Sequence, residues 1–340
     1  MFWRACPDLG SLREESFRWR RPGVRAVMRR EFGPPEVLEP AEVAEVRAGP
    51  DEVVIGVEFA NVTFVETQVR AGRPPHPSML PALPAILGNG VGGTVSDSSP
   101  WSGLQVVASL NGTGGYAERA VTTASQLIRI PDGLATRDAV ALLADGRTAL
   151  ALAGRAELRP GKTVLVEAAG GGVGTLLVQI ARRAGARVVA LAGRPRKLAL
   201  ARDLGADVTA DYSRAGWEKQ VRDAVGEVDV VFDGVGGDIG LAAFGLLGTG
   251  GRFCPFGMAS GRFAPVTPEL AQDRQVTVRT GAGGNPAHLA ALARMALTEA
   301  AAGRLRAVIG QEFELADAAR AHAAIEARET VGKTLLTVPR

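Results

Sequence analysis

The run Thr163-Val-Leu-Val-Glu-Ala-Ala-Gly-Gly-Gly-Val-Gly-Thr-Leu-Leu-Val-Gln-Ile-Ala-Arg-Arg-Ala-Gly-Ala-Arg-Val-Val-Ala-Leu191 reads as strand, glycine turn, helix, glycine stop and second strand. Within it Ala169, Gly171 and Gly174 fit the spacing of a dinucleotide cradle, with Gly172 and Val173 completing the loop. Small side chains there permit the tight turn, the close approach of a pyrophosphate and the packing of helix on strand. A helix starting near Gly172 turns its unpaired N–H groups and positive dipole end toward phosphates. Glycine pairs at 92–93, 114–115, 236–237 and 283–284 carry little weight alone in a chain with 43 glycines. The β-branched strands on both sides single this loop out, and S-adenosylmethionine stays open as another ligand of the same fold.

Outward from the loop, the end of the second strand reads Leu191-Ala-Gly-Arg194-Pro-Arg196-Lys197, with no acid. An NAD site places Asp or Glu there to accept from the ribose 2′-hydroxyl. Arg194 and Lys197 instead suit a 2′-phosphate, through charge-assisted hydrogen bonds, so NADPH is the expected cofactor. A solvated basic loop is the plainer alternative. Tyr212, after the third apolar strand, is placed to flank the adenine, to meet the phosphate, or merely to pack the loop.

At 340 residues the chain suggests two domains, each able to hold a core. Its 39 basic and 36 acidic residues nearly balance, and only Lys162, Lys197, Lys219 and Lys333 are lysines. No basic stripe with interleaved aromatics argues for nucleic acid. Cys6 and Cys254 make neither a disulfide framework nor a four-cysteine zinc site, which favours a cytoplasmic protein. No apolar run is long enough for a membrane span. Residues 1–23 mix aromatics with Arg and Glu without a clear period, and are expected to be a disordered or mis-started extension.

Residues 24–145 are strand-rich and punctuated by turns: Val53 to Ala60 alternates, Pro81 to Ile86 is a proline-broken loop, and 93–96 and 105–110 are short strands. This predicts a barrel-like β domain. The pattern turns helical between Asp138 and Ala153. Strands over 163–167, 187–191, 208–211, 228–233, 250–256 and 275–280 then alternate with helices, which predicts a doubly wound parallel sheet over 146–283. Residues 284–340, with helices at 288–302 and 315–327 and a strand at 333–338, are expected to return to the first domain. Val235 in the Asp233-Gly-Val-Gly-Gly237 turn, and Phe256-Gly257, lie at carboxyl ends of sheet strands and are candidate walls for a nicotinamide. Ordinary turn chemistry is the alternative.

Longer landmarks are Arg25-Ala-Val-Met-Arg-Arg-Glu-Phe-Gly-Pro-Pro-Glu-Val-Leu38, Gly114-Gly-Tyr-Ala-Glu118, Ile130-Pro-Asp-Gly133, Arg159-Pro-Gly-Lys-Thr-Val-Leu-Val166, Leu204-Gly-Ala-Asp207, Asp211-Tyr212 and Gly332-Lys333. With the glycine loop, they make the chain from Val24 onward resemble the zinc-independent, zeta-crystallin-like quinone oxidoreductase branch of the medium-chain dehydrogenase/reductases. The resemblance implies an α/β protein with a GroES-like β-rich catalytic domain and a Rossmann domain, and a homodimer joined through the Rossmann domains. It implies hydride transfer from NADPH to a quinone or other conjugated carbonyl. An enoyl or alkenal reductase of secondary metabolism, and a non-catalytic NADPH-binding protein, are the alternatives.

By the same resemblance Thr148 stands near the nicotinamide ribose and Lys333 joins the cofactor-binding set. Thr63 and Glu66 stand where many relatives carry Asn and Asp on the substrate side, and Gly193 where a Ser is common. Thr63 is the candidate hydroxyl for proton delivery and Tyr116 a weaker one. Glu66 and Arg70, four apart, are spaced to pair with each other. Leu87-Gly-Asn-Gly-Val91 replaces the Gly-His-Glu of zinc-using relatives, Ala60-Asn-Val-Thr-Phe64 holds no cysteine, and His76, His288 and His322 lack the spacing of common zinc motifs.

Overall fold

The structure is a computed structural model that describes residues 23–97, 99–281 and 284–339. The extension expected over 1–23 lies outside the described residues except for Gly23, as do Cys6 and Gly283. The first part of the chain forms β1 (Val24–Arg29), β2 (Leu38–Val43), β3 (Glu52–Val62), α1 (Phe64–Arg70), β4 (Ala85–Ile86), β5 (Gly90–Val95), β6 (Gln105–Ser109), β7 (Arg119–Thr123) and β8 (Leu127–Arg129). Next come α2 (Thr136–Ala156), β9 (Thr163–Val166), α3 (Gly172–Arg183), β10 (Arg187–Ala192), α4 (Pro195–Asp203), β11 (Val208–Asp211) and α5 (Trp217–Val225). Then follow β12 (Val228–Asp233), α6 (Gly237–Phe244), β13 (Leu247–Pro255), α7 (Pro268–Asp273) and β14 (Thr277–Val278). The chain closes with α8 (Pro286–Ala301), β15 (Ile309–Glu314), α9 (Ala318–Glu326) and β16 (Lys333–Thr337).

Strands β9 to β14 form a parallel sheet in the order β11-β10-β9-β12-β13-β14. The order reverses at β9: the chain moves outward through β10 and β11, then returns to lay β12 on the other side. In such a sheet ligands bind beyond the carboxyl ends of the strands at the reversal. Helix α3 starts there because Gly171 is still extended (φ −92, ψ 174), and it stops at Gly185 in the left-handed region (φ 76). Its buried face, Leu176, Leu177, Val178 and Ala181, lies in the same apolar core as Val164 and Val166 of β9.

The β-rich domain holds a sheet in the order β15-β16-β3-β5-β6-β8, with β7 also paired to β3, and a smaller one in the order β2-β1-β4. Strand β3 does not keep the simple alternation of its sequence. Because it pairs with β5, β7 and β16, residues of both parities, including Val53, Val54 and Ile55, are buried. The short β4 sits inside the stretch expected to be only a proline-broken loop.

Helix α2 runs unbroken across the expected boundary between 145 and 146. Its buried face places Val140, Leu142, Leu143, Ala149 and Leu152 in one core with Val107 and Ile128 of the β-rich domain and with the Rossmann strands. Burying each leucine contributes roughly 1.5–3 kcal/mol, so this shared helix ties the two cores together energetically. Helix α8, expected to belong to the returning segment, packs Ala293, Ala296 and Leu297 into that same core. The return to the β-rich sheet is made by β15 and β16, with β16 antiparallel to β3 through Thr334–Val62 and Leu336–Ala60.

Gly146 lets α2 and α8 touch: a Cβ at this position would stand 2.7 Å from the Cβ of Ala296, whereas one at Gly154, on the same helix, would meet nothing within 4 Å. Gly146→Val is expected to lower the unfolding free energy by about 1–3 kcal/mol through overpacking. Gly154→Ala should raise it by up to about 1 kcal/mol through helix propensity. Urea titration of the two variants checks both signs.

Candidate functional site

The glycine loop is held from both domains. Gly171 N donates to Ala168 O at 2.8 Å, closing the turn, and a Cβ on Gly174 would overlap that same carbonyl. From the β-rich domain, Gly332 N donates to Gly170 O at 2.8 Å. Next to it, Lys333 Nζ reaches Asp145 Oδ1 at 3.1 Å, with the two side chains 5% and 13% exposed. Asp145 leans over Gly172, the first residue of α3, where a carboxylate favours the helix dipole. Ala169, Gly170 and Gly174 are buried, while Gly171, Gly172 and Val173 keep a partly exposed face. Lys333, expected among the cofactor ligands, has its ammonium bonded to Asp145 beside the loop.

At the end of β10 the chain gathers cations. Arg194 is exposed and precedes α4, whose first residue Pro195 fixes the turn. The Lys197 stem covers Gly170, and its Nζ donates to Arg328 O at 3.1 Å. Burial, and then the positive charges of Arg196, Arg328 and Arg194, pull the Lys197 ammonium below its usual range. Four cations gathered near two acids, Glu326 by Arg328 and Glu329 beside Arg194 and Arg196, leave a net positive charge that favours an anion. Arg328, with φ 59, crosses the interdomain cleft: its guanidinium donates to Ala259 O and lies 4.8 Å over the Phe64 ring. Tyr212 is half-buried, and its ring lies 3.0 Å from where a Cβ on Gly193 would sit, so a Ser at 193 would crowd it. A cavity of about 710 Å³ opens beside these groups, lined by Arg194, Arg196, Gln311, Phe313, Glu329 and Thr330.

The far wall comes from the ends of β12 and β13. Phe256 N and Gly257 N both donate to Asp233 O, at 2.8 and 3.2 Å. The Phe256 ring packs against Gly234 beside the Ala168 side chain, and Val235 is buried with its N–H turned inward to Asp233 and Glu167. Val235, Phe256 and Gly257 are thus drawn together at the carboxyl edge, next to the glycine loop.

Thr63 and Glu66 prove to be the two halves of a capping box on α1. Glu66 Oε2 accepts from Thr63 N at 2.6 Å and from Thr63 Oγ1 at 3.0 Å, and Oε1 accepts from Asn89 N at 2.8 Å. Burial raises the Glu66 carboxyl above its usual range, against those hydrogen bonds. The expected pairing of Glu66 with Arg70 is not formed: Arg70 reaches Glu326 on α9 instead, because α1 packs its last turn on that helix. Tyr116 is fully buried, its hydroxyl bonded to Glu66 Oε2 at 3.4 Å and His322 Nε2 at 3.0 Å, which removes it as a donor to the cleft. Thr148, on α2, turns its hydroxyl back to Ala144 O at 2.8 Å and is half-buried.

Among the described residues no group of three or more His, Cys, Asp or Glu side chains is gathered to hold a metal. Of the two stretches that stand at the zinc positions of metal-using relatives, 87–91 offers Asn89, whose Oδ1 accepts from Gly112 N at 2.8 Å, and 60–64 holds no cysteine. These residues do not fit a zinc centre. The sequence reading missed Asp145, Glu167 and Arg328. Glu167 immediately precedes the glycine loop and was within reach of notice, but the other two come to the site from a helix and a loop remote in sequence.

His322 offers a measurable consequence. Burial, and then Arg70, pull its imidazole down to about 3, whereas an unfolded histidine titrates near 6.5. Below about pH 6.5 the unfolded chain takes up a proton that the native protein refuses, so stability falls as pH drops toward 3, by about 1.4 kcal/mol per pH unit. Above that window His322 stays neutral in both states and adds no pH dependence. His322→Gln, which can still bond Tyr116, should flatten the fall in unfolding free energy measured by urea between about pH 6 and 4.5.

The family described as "Zinc-binding dehydrogenase" matches residues 172–298. A quinone oxidoreductase of Pseudomonas aeruginosa is 33% identical over 321 residues, covering 90% of this chain and 97% of that one. A 2-haloacrylate reductase of a Burkholderia species is 29% identical over 329 residues, 92% of this chain and 98% of its own. The Escherichia coli quinone oxidoreductase complexed with NADPH superposes with a TM-score of 0.84 at 26% identity, covering 92% of this chain and 99% of that one. On its fold, its glycine loop and these likenesses, the chain belongs to the quinone oxidoreductase branch of the medium-chain dehydrogenase/reductase superfamily.

Proposed function

We propose that the protein is an NADPH-dependent oxidoreductase that passes hydride, without zinc, to a quinone or another conjugated carbonyl in the interdomain cleft. The observation that carries this reading is the cation cluster of Arg194, Arg196, Lys197 and Arg328 at the end of β10, beside the loop that opens α3, with no carboxylate at that strand end. The cradle fits the cofactor, since the loop from Ala169 to Gly174 presents small residues and free α3 N–H groups on its partly exposed face. When bound, NADPH supplies the hydride from its nicotinamide.

The chain supplies the rest. The α3 terminus holds the pyrophosphate, Arg194 and Lys197 hold the 2′-phosphate, and Tyr212 packs the adenosine end. Thr148 lies by the ribose, and Val235, Phe256 and Gly257 back the nicotinamide and keep water from it. A conjugated acceptor spreads the incoming charge over its own π-system, so it asks for no Lewis acid from the protein. With Thr63, Glu66 and Tyr116 committed to the α1 cap and its buried partners, solvent provides the proton. The likeness to a 2-haloacrylate reductase favours, as second reading, an activated alkene as acceptor. The short edge strand β14, Thr277–Val278, is where a second copy would extend the Rossmann sheet. A cytoplasmic setting accords with the sparse cysteines.

Steady-state assays with a panel of quinones and enones test the acceptor: turnover of enones alone supports the second reading, and tight NADPH binding without oxidation by either panel refutes both. Each charge-assisted contact contributes roughly 1.5–3 kcal/mol. Arg194→Ala and Lys197→Ala are therefore each expected to raise KM for NADPH about tenfold or more and to leave KM for NADH nearly unchanged. Equal effects on the two coenzymes would refute the phosphate clamp.

A further inference from the structure

Two carboxyl groups are shut inside the protein where the strand order of the Rossmann sheet reverses. Glu167 directly follows β9 and Asp233 ends the neighbouring parallel strand β12, and both are 0% exposed. Val235 N divides its hydrogen bond between Glu167 Oε2 at 3.2 Å and Asp233 Oδ1 at 3.0 Å, and Gly236 N donates to Asp233 Oδ1 at 2.6 Å. Glu167 Oε1 and Asp233 Oδ2 receive no donor from the described residues. The two carboxyl groups therefore converge on one donor, with Glu167 Oε2 and Asp233 Oδ1 both within 3.2 Å of Val235 N. Two ionised carboxylates have only acceptors to offer, so a buried pair sharing one donor calls for a proton between them.

The surroundings agree. Just past β11, the Tyr212 phenol is a titratable group whose ionisation feels Glu167. From α6, Gly240 lies against Asp233 Oδ2, and the Ala168 side chain and the Phe256 ring pack on Gly234. No cation is among the groups that act on Glu167, and burial, with the charge of Asp233, pushes its carboxyl well above the usual range.

We propose that Glu167 and Asp233 share one proton, and that this hydrogen bond is the clip that holds the two coenzyme-bearing strand ends together, which makes Glu167 a positioning residue for coenzyme binding. The placement gives the clip its leverage. Glu167 is the last residue before the Ala168–Gly174 loop, and Asp233 opens the Gly234–Gly237 turn and, through its backbone carbonyl, anchors Phe256 and Gly257. Loss of the proton leaves two adjacent anions in a low-dielectric interior, where repulsion is strong and the shared Val235 N–H cannot satisfy both. The loop and the wall then part, and coenzyme affinity falls on the alkaline side. The inference rests on the coenzyme reading above.

Calorimetric Kd values for NADPH and for NADH, taken from about pH 6 to 9.5 on the intact chain, test it alongside Glu167→Gln and Glu167→Ala. The wild type should lose affinity for both coenzymes about tenfold per pH unit above the titration of the pair. Glu167→Gln, whose amide donates to Asp233 at every pH, should show no such limb, and Glu167→Ala should bind both coenzymes about tenfold more weakly already at neutral pH. Deprotonation of Lys197 would weaken NADPH alone, so the NADH arm separates the two causes. Infrared spectra of the coenzyme-free protein at neutral pH should show a protonated carboxyl stretch, shifted in D2O and missing in Glu167→Gln. The same alkaline fall in Glu167→Gln as in the wild type, or no difference between their carboxyl bands, would overturn the shared proton. Absence of binding of either coenzyme to the wild type at neutral pH would overturn the coenzyme reading instead, while the infrared band still decides the pair.

Discussion

One hydrogen bond between the domains, from Gly332 N to Gly170 O, ties the glycine loop to a strand of the β-rich sheet, and much of the site follows from it. Both residues need to be glycine: a Cβ on Gly170 would overlap the Lys197 stem, one on Gly332 would overlap Val308 O, and Gly332 takes a left-handed conformation, φ 58. Once they meet, Lys333 is carried under the loop to Asp145, and Arg328, five residues before it, is carried across the cleft to Lys197, Ala259 and Phe64. The cofactor cradle is therefore a product of both domains, although its recognisable motif lies in one.

Charge is sorted by depth around this contact. At the rim, Arg194 and Arg196 are exposed and Lys197 half-buried, so water moderates their mutual repulsion while an incoming phosphate still gains from all of them. Beneath the loop, Lys333 and Asp145 neutralise each other in a nearly closed space. Deeper still, Glu167 and Asp233 have no ion pair among the described residues, and the proposed shared proton takes the place of a counter-cation. The three layers use the same elements in the order in which solvent becomes scarce.

The β-rich domain shows a different economy. Thr63, Glu66, Tyr116 and His322 form a continuous buried chain of hydrogen bonds that caps α1 and joins it to α9. Residues that chemistry would select as acid, base or proton donor are here occupied in holding a helix start. An enzyme whose cofactor carries the reactive hydride can be built this way, because orientation and exclusion of water are most of what the protein must supply.

The local pattern of residues 163–191, with its small residues at 169, 171 and 174 and the strand-helix-strand rhythm around them, determined the Rossmann sheet, the start of α3 at Gly172 and the cation-bearing turn after β10, because each of these depends on neighbours close in sequence. The alternation of strands and helices up to β14 was legible for the same reason. Tertiary structure alone decided that α2 belongs to both cores, that Thr63 and Glu66 close a capping box already bonded to Asn89 and Tyr116, and that Arg70 meets Glu326 rather than Glu66. It alone also brought Asp145 to Lys333, Arg328 to Lys197 and Glu167 to Asp233, residues 188, 131 and 66 positions apart. Burial and partnership at such separations are set by how sheets and helices pack, and a side chain's chemistry follows from the company that packing gives it.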